Sequence, residues 1–363
     1  MSRLALDSLR VLDLSQHATG PFATQIMAAL GASVVKVEQP PDGDRERVTE
    51  YPMFLACNRG KHSIALNLKA EPDREVLRGL IRDADVLVEG YRPGVANRLG
   101  VGFADVSALQ PRIIYVSMPG FGSLGPLAGA PGYDVEFRAL AGDLALNAAA
   151  DGTPQYARAA PTFDYAAAMY ATVGVLTTLL DPGRDAVQLE VPILAAGLAF
   201  SFARLIDPRY GPGTGEQRWQ HLFRCADDRY VSVTAGQDSH FRALCEAVGL
   251  PGLADREDLL TLPGRHAAAA ELNVLIGAAF GGSALAEWLP RLDAAGIACA
   301  PVLQPAEVFD HPQVRALGVV HREPSPHAGL PILGLASRTL RRPPGVDEHG
   351  AALRDGGWAA IQG

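Results

Sequence analysis

Arg10-Val-Leu-Asp-Leu14 is a short apolar run, Gly20-Pro21 opens a segment that closes at Leu30-Gly31, and Ser33-Val-Val-Lys-Val37 is apolar again. Proline suits the first turn of a helix and glycine suits its end, so the spacing predicts strand, helix, strand. That sequence of elements in about thirty residues is the size of a parallel βαβ unit. The pattern then repeats. Pro72–Arg82 carries apolar residues at helical spacing (Val76, Leu77, Leu80, Ile81), and Asp85–Glu89 and Arg112–Ser117 are strand-like. Alternation of this kind predicts an α/β fold, a parallel sheet covered by helices on both faces, with ligands at the strand ends.

The chain has 363 residues, 48% hydrophobic and 20% charged, which is enough apolar mass for one large domain or two. Thirty-two Lys+Arg against 40 Asp+Glu leave a net charge of −8, a poor match to a nucleic-acid backbone. No apolar run reaches the ~20 residues that span a bilayer. The first fifteen residues carry charges every few positions and lack the apolar region of a signal peptide. Cys57, Cys225, Cys245 and Cys299 are scattered without a CxxC pair, which argues against zinc and against a disulfide framework. The expectation is a cytoplasmic enzyme or binding protein with no metal.

The pattern changes after Pro182. Arg229–Thr234 is strand-like, and helical spacing follows at Ser239–Val248, His266–Ala279 and Ser283–Ala295, which predicts a smaller α+β domain. The boundaries expected are 1–190 for a large domain completed by 315–363, with 191–314 holding linkers and the small domain. From about Pro305 the chain is Pro-rich, as suits a segment draped back over another domain.

Familiar signatures are missing. Leu14–Gly20 stands where a dinucleotide-binding GxGxxG would follow the first strand, Gly60-Lys61 lacks the rest of a phosphate loop, and no HExxH occurs. Asp164 stands out instead, at the head of the apolar segment Tyr165–Leu180. Its plain reading is a helix N-cap favoured by the helix dipole. The same dipole would keep the carboxylate ionised at neutral pH, which also suits a nucleophile or a base. Gly120 and Gly122 follow the fourth strand, in a plain turn or in backbone that approaches a ligand closely. Arg59, Lys61, Arg92 and Arg98 lie near strand ends, as solvated charges or as a positive patch for an anionic ligand.

Leu9–Ser15, Gly20–Thr24 and Leu30–Glu38 together resemble the opening of the class III coenzyme A transferases, the family of formyl-, carnitine- and bile-acid-CoA transferases and 2-methylacyl-CoA racemases. The likeness continues through Asn58–Ile64, Ala84–Glu89, Arg92–Gly94, Arg98–Gly100, Pro111–Ser117, Gly120–Gly122 and Gly132–Asp134. It resumes in Arg224–Val233 and His311–Val314 and so covers most of the chain in order.

The resemblance implies a Rossmann-like large domain built from both chain ends, a small inserted domain and two subunits interlocked like links. Coenzyme A enters as substrate, with no tightly bound cofactor, and the partners are an acyl-CoA and a carboxylic acid. Its phosphates and adenine would lie near Lys61, Arg92 and Arg98. Asp164 falls on the family's aspartate, which attacks the donor thioester and becomes an aspartyl-CoA thioester that the acceptor acid discharges. Backbone N–H groups of glycine-rich loops would hold the oxyanion.

Departures bear on the substrate. Gly183-Arg-Asp-Ala186 replaces the family's Gly-x-Gly-Gln, His62 replaces its common Arg, and Ala18 stands where some members place Gln, with Gln16 and His17 nearby. Gly211–Gly215 is the nearest counterpart of the transferases' glycine loop. Tyr133 occupies the place of the racemases' His, and tyrosine, with a reference pKa of ~10, is a weak base near neutrality. That favours transfer over racemisation. Asp238 lies near a racemase Glu, so racemisation stays open, as does a homologue that binds CoA thioesters without turnover.

Overall fold

The computed structural model describes residues 4–149, 151–157, 160–205, 221–321, 327–332 and 334–361. Six strands form one sheet: β1 (Arg10–Asp13), β2 (Ser33–Glu38), β3 (His62–Ala65), β4 (Val86–Glu89), β5 (Ile114–Ser117) and β6 (Val187–Glu190). They are ordered 3-2-1-4-5-6 and every neighbouring pair is parallel. The order reverses between β1 and β4, so the loops leaving those two strands diverge and open a crevice at their C-terminal ends. This is a Rossmann-like sheet.

Burial on both faces explains why its strands read as continuous apolar runs. Val11, Val34, Val88 and Val116 face one layer, where Ala23 and Met27 of α1 (Thr19–Ala29) meet Ala167 and Ala171 of the Thr162–Leu179 helix. Leu12, Val35, Ile64 and Leu87 face the other, covered by Leu77 and Leu80 of the Glu71–Arg82 helix. The C-terminal segment closes that second layer. Leu353 and Trp358 join its core, and Trp358 Nε1 donates to the Leu80 carbonyl at 2.9 Å.

Two strands escape the sequence pattern. β3 is four residues long and directly follows the polar Arg59–Lys61 stretch, and β6 alternates half-buried with exposed residues at the sheet's edge. Neither offers a long apolar run.

Contacts divide the chain into two compact units, Met1–Gly211 with Leu317–Gly363, and Pro212–Ala316. The second holds an antiparallel sheet of Leu222–Arg224, Tyr230–Thr234 and Ala298–Pro301. Phe223, Leu244, Ile276, Phe280 and Trp288 fill its core, and Trp288 Nε1 donates to the Phe280 carbonyl at 2.9 Å. The first unit runs beyond the expected limit at residue 190 because the Ile193–Leu205 helix packs on the Thr162–Leu179 helix. Gly197 permits that approach. A Cβ there would lie 1.9 Å from the buried Phe163 ring. Gly197→Ala is therefore expected to lower stability by ~1–3 kcal/mol through overpacking, read as a fall in the urea midpoint with an unchanged slope.

Candidate active site

The loop after β1 and the head of the Thr162–Leu179 helix meet at the crevice. The helix begins at Thr162, so Asp164 is its third residue and lies in the first turn, not at the cap. The carboxylate that caps the helix comes from elsewhere. Asp134 Oδ1 accepts the Phe163 N–H at 2.9 Å, and Asp134 is in turn held by the Tyr156 hydroxyl at 3.2 Å and faces Arg138 at 3.6 Å. One open N–H of the helix start is thereby satisfied by a residue 29 positions upstream. Asp164 is left for other work.

Asp164 Oδ1 accepts a short hydrogen bond from the Thr19 hydroxyl, at the first residue of α1. Thr19 is buried and Asp164 is half-buried. Burial pushes the Asp164 carboxyl up to about 7, and Asp134 and Glu46 add to the rise, while the Thr19 hydroxyl and His17 oppose it. The expectation that the helix start keeps this group ionised is corrected. Removal from water outweighs the partial charge of the helix end. The group stands at the midpoint of its titration near neutral pH, where a carboxyl serves as an acid, a base or a nucleophile.

His17, which the sequence offers only as a neighbour of Ala18, belongs to this site. Its backbone is left-handed, φ 65°, in the short loop between β1 and α1. Its Nδ1 lies 2.6 Å from Glu46 Oε1, and its ring stands edge-on to Tyr133 with centroids 5.7 Å apart. Tyr133 is 60% exposed. Ala18 is buried and its carbonyl receives the Phe22 N–H at 2.8 Å in the first turn of α1. A polar residue flanked by a conformationally odd Ser-Gln-His-Ala-Thr stretch was the available signal for His17 and Thr19.

The other expected residues do not gather with Asp164. Lys61 is fully buried. Its Nζ reaches Asp13 Oδ2 at 2.8 Å, Asn58 Oδ1 at 2.8 Å and the Pro21 carbonyl at 2.9 Å, so its ammonium ties β1 to α1, while the residue also borders a cleft beside His62 and Arg341. Arg59 is also buried, with its guanidinium on the Leu340 carbonyl at 3.3 Å. Internal carboxylate and carbonyl groups have claimed both cations. Arg92 and Arg98 are exposed, and among the described residues neither makes an ion pair. Arg92 borders a cleft of about 370 Å³ with Glu89, Tyr91, Asn97 and Glu190. A second cleft, of about 740 Å³, is lined by Ser33, His62, Arg338, Arg341 and His349; Asp164 borders neither.

The two glycines have packing reasons. A Cβ on Gly120 would lie 2.6 Å from the Phe137 ring, and Gly122, at φ 92°, faces Pro192 at 3.2 Å. Their neighbourhood secures the Ile193–Leu205 helix, since the Gly120 carbonyl receives the Leu194 N–H at 3.0 Å. Asp238 belongs to the second unit, where it pairs with Arg265 at 2.7 Å. Gly211–Gly215 lies outside the described residues. Among the described residues no group of three His, Cys, Asp or Glu side chains could hold a metal, and no single helix is long and apolar enough to cross a membrane.

Comparison with known proteins bears on this site. The model of CoA-transferase family III matches residues 6–350. An acetyl-CoA:oxalate CoA-transferase of Acetobacter aceti is 32% identical, over 96% of this chain and 94% of that protein. A succinyl-CoA:glutarate CoA-transferase of Mus musculus is 31% identical, over 89% of this chain and 78% of that one. Among solved structures, a CAIB/BAIF family protein from Brucella suis superposes with a TM-score of 0.88 at 27% identity, covering 98% of this chain and 99% of that chain. With a matching family model over nearly its whole length, relatives end to end and the same fold in a solved structure, the chain belongs to CoA-transferase family III.

Proposed function

We propose that this enzyme moves coenzyme A from an acyl-CoA thioester to a carboxylic acid acceptor with Asp164 as the nucleophile. The observation that carries the reading is a half-buried carboxyl at the crevice of the sheet, hydrogen-bonded by Thr19 and held near the middle of its titration. The ionised carboxylate attacks the thioester carbonyl, the C–S bond breaks and CoA leaves as thiolate. The thiolate then attacks the aspartyl carbon of the mixed anhydride and releases the donor acid. The acceptor carboxylate attacks this aspartyl-CoA, again expelling thiolate, and the thiolate takes the acceptor's acyl carbon, which frees Asp164. No oxidant or water enters, and covalent catalysis divides one difficult transfer into easier ones.

The relatives' names support the substrate class, for they pair a CoA thioester with oxalate or glutarate. They also favour transfer over racemisation. Arg92 and Arg98, exposed near the ends of β4 and the following turn, remain the proposed contacts for CoA phosphates, now without Lys61 and Arg59. An interlocked homodimer fits the apolar side chains left bare on two helices: Met169, Tyr170 and Val173 on one, Phe200 and Phe202 on the next.

The test is mass-spectrometric mapping after incubation with acetyl-CoA or succinyl-CoA alone. A CoA adduct on Asp164 is expected, and an adduct on another residue sinks the assignment. Formation of that adduct should rise with pH, about tenfold per unit well below neutrality, and level off above pH ~8, because only the ionised carboxyl attacks. A flat profile from pH 5 to 8 would contradict the role given to burial.

A further inference from the structure

The acceptor enters this reaction as a carboxylate and must reach the aspartyl-CoA thioester. The acceptor acid carries negative charge to a site where Asp134 and Glu46 already raise the Asp164 pKa by repulsion. Like charges repel at short range where water is excluded, so the acceptor needs a positive partner. Lys61 and Arg59 face inward. Of the groups that act most strongly on Asp164, only His17 can become cationic.

Its setting is built for that. His17 has a left-handed backbone, φ 65°, which is uncommon for a non-glycine residue, and its neighbours hold it there. The contacts are visible. Its N–H reaches Asp44 Oδ1 at 3.4 Å, and buried Asp44 is itself fixed by Lys36 at 2.8 Å. Glu46, whose side chain is only 14% exposed, holds Nδ1. The imidazole is 38% exposed, and among the described residues its Nε2 makes no hydrogen bond. One nitrogen is therefore oriented and the other is left for a ligand, two residues from the threonine that binds Asp164.

We propose that His17, oriented by Glu46, receives the carboxylate of the acceptor acid. As imidazolium it donates Nδ1–H to Glu46 and Nε2–H to an acceptor oxygen. Tyr133, edge-on to the ring, packs it from the side. The donor thioester is neutral at its reacting carbonyl and makes no such demand. His17 thus sets acceptor affinity and leaves donor affinity untouched.

This rests on the Asp164 mechanism, and the test separates the two. The probes are acetyl-CoA and succinyl-CoA, each with its own isotope-labelled acid, since the acid a donor releases is by reversibility an acceptor. The variants are His17→Asn, because asparagine tolerates left-handed backbone, and Glu46→Gln. With acyl-CoA alone, His17→Asn should still form the Asp164 adduct. In label exchange its KM for the acid should rise about tenfold to a hundredfold while the KM for acyl-CoA stays within about twofold. Glu46→Gln should shift the same constant in the same direction by less. Equal changes in both KM values, or none in the acid's, would overturn the proposal. Lack of an adduct in the wild-type enzyme would instead overturn the Asp164 mechanism, and this inference with it.

Discussion

Asp164→Asn is expected to lose turnover by about four orders of magnitude or more while acyl-CoA binding is largely kept, because an amide does not attack a thioester. The substitution is close to isosteric and leaves Thr19 an oxygen to donate to, so the fold should stand. It should in fact gain stability, with a definite pH dependence. The folded-state pKa is raised to about 7. Between the ordinary carboxylate range and that value, the folded chain holds a proton that the unfolded chain has lost, so wild-type stability falls as pH rises through this window. Above it the full penalty of an ionised, desolvated carboxylate is present. The variant carries no such group. Its melting temperature should exceed that of the wild type at pH 8, and the difference should shrink towards pH 4. Activity retained by Asp164→Asn would remove the residue from the mechanism. A stability difference independent of pH would show that the native carboxyl is not desolvated.

Lys61→Met should lower stability by ~3–5 kcal/mol, a large part of the ~5–15 kcal/mol typical of a folded protein. Lys61 Nζ makes three hydrogen bonds to buried partners, two of them on the distant β1 and α1 segments. Burial drives Asp13 upward, but Lys61 and Lys36 together overcome it and hold the carboxyl well below its usual range. Burial, helped by repulsion from Lys36, brings Lys61 down to about 8 although Asp13 opposes the fall. Removal of Lys61 leaves the Asp13 charge buried with Lys36 as its remaining cation. Adding Asp13→Asn to Lys61→Met should recover part of the loss, measured as a coupling of ~1–3 kcal/mol in urea unfolding. A loss under ~1 kcal/mol for the single variant would show that the pair is not desolvated. The damage should extend to the site, because the same ammonium binds the Pro21 carbonyl, two residues beyond Thr19.

The contrast between these two residues shows what could be read from sequence. Asp164 was legible because a single acid at the head of a long apolar segment is a local anomaly. Its environment was not. Thr19 reaches it across 145 residues, and the helix N–H it was expected to cap belongs to Asp134. The burial of Lys61 and Arg59 could not be read, since a lysine or arginine near a strand end looks the same in sequence whether it faces solvent, a phosphate or a buried aspartate. His17 carried one faint signal, an imidazole in the first βα turn.

From the sequence alone follow the βαβ repeat, the parallel sheet, the smaller α+β unit and the family, because these rest on apolar periodicity and on residues close together in the chain. The state of each charge was decided by tertiary structure. Desolvation and Coulomb energy depend on distances through space, and the groups that raise Asp164, orient His17 and neutralise Lys61 are brought together only when β1, α1 and the Thr162–Leu179 helix close around one crevice.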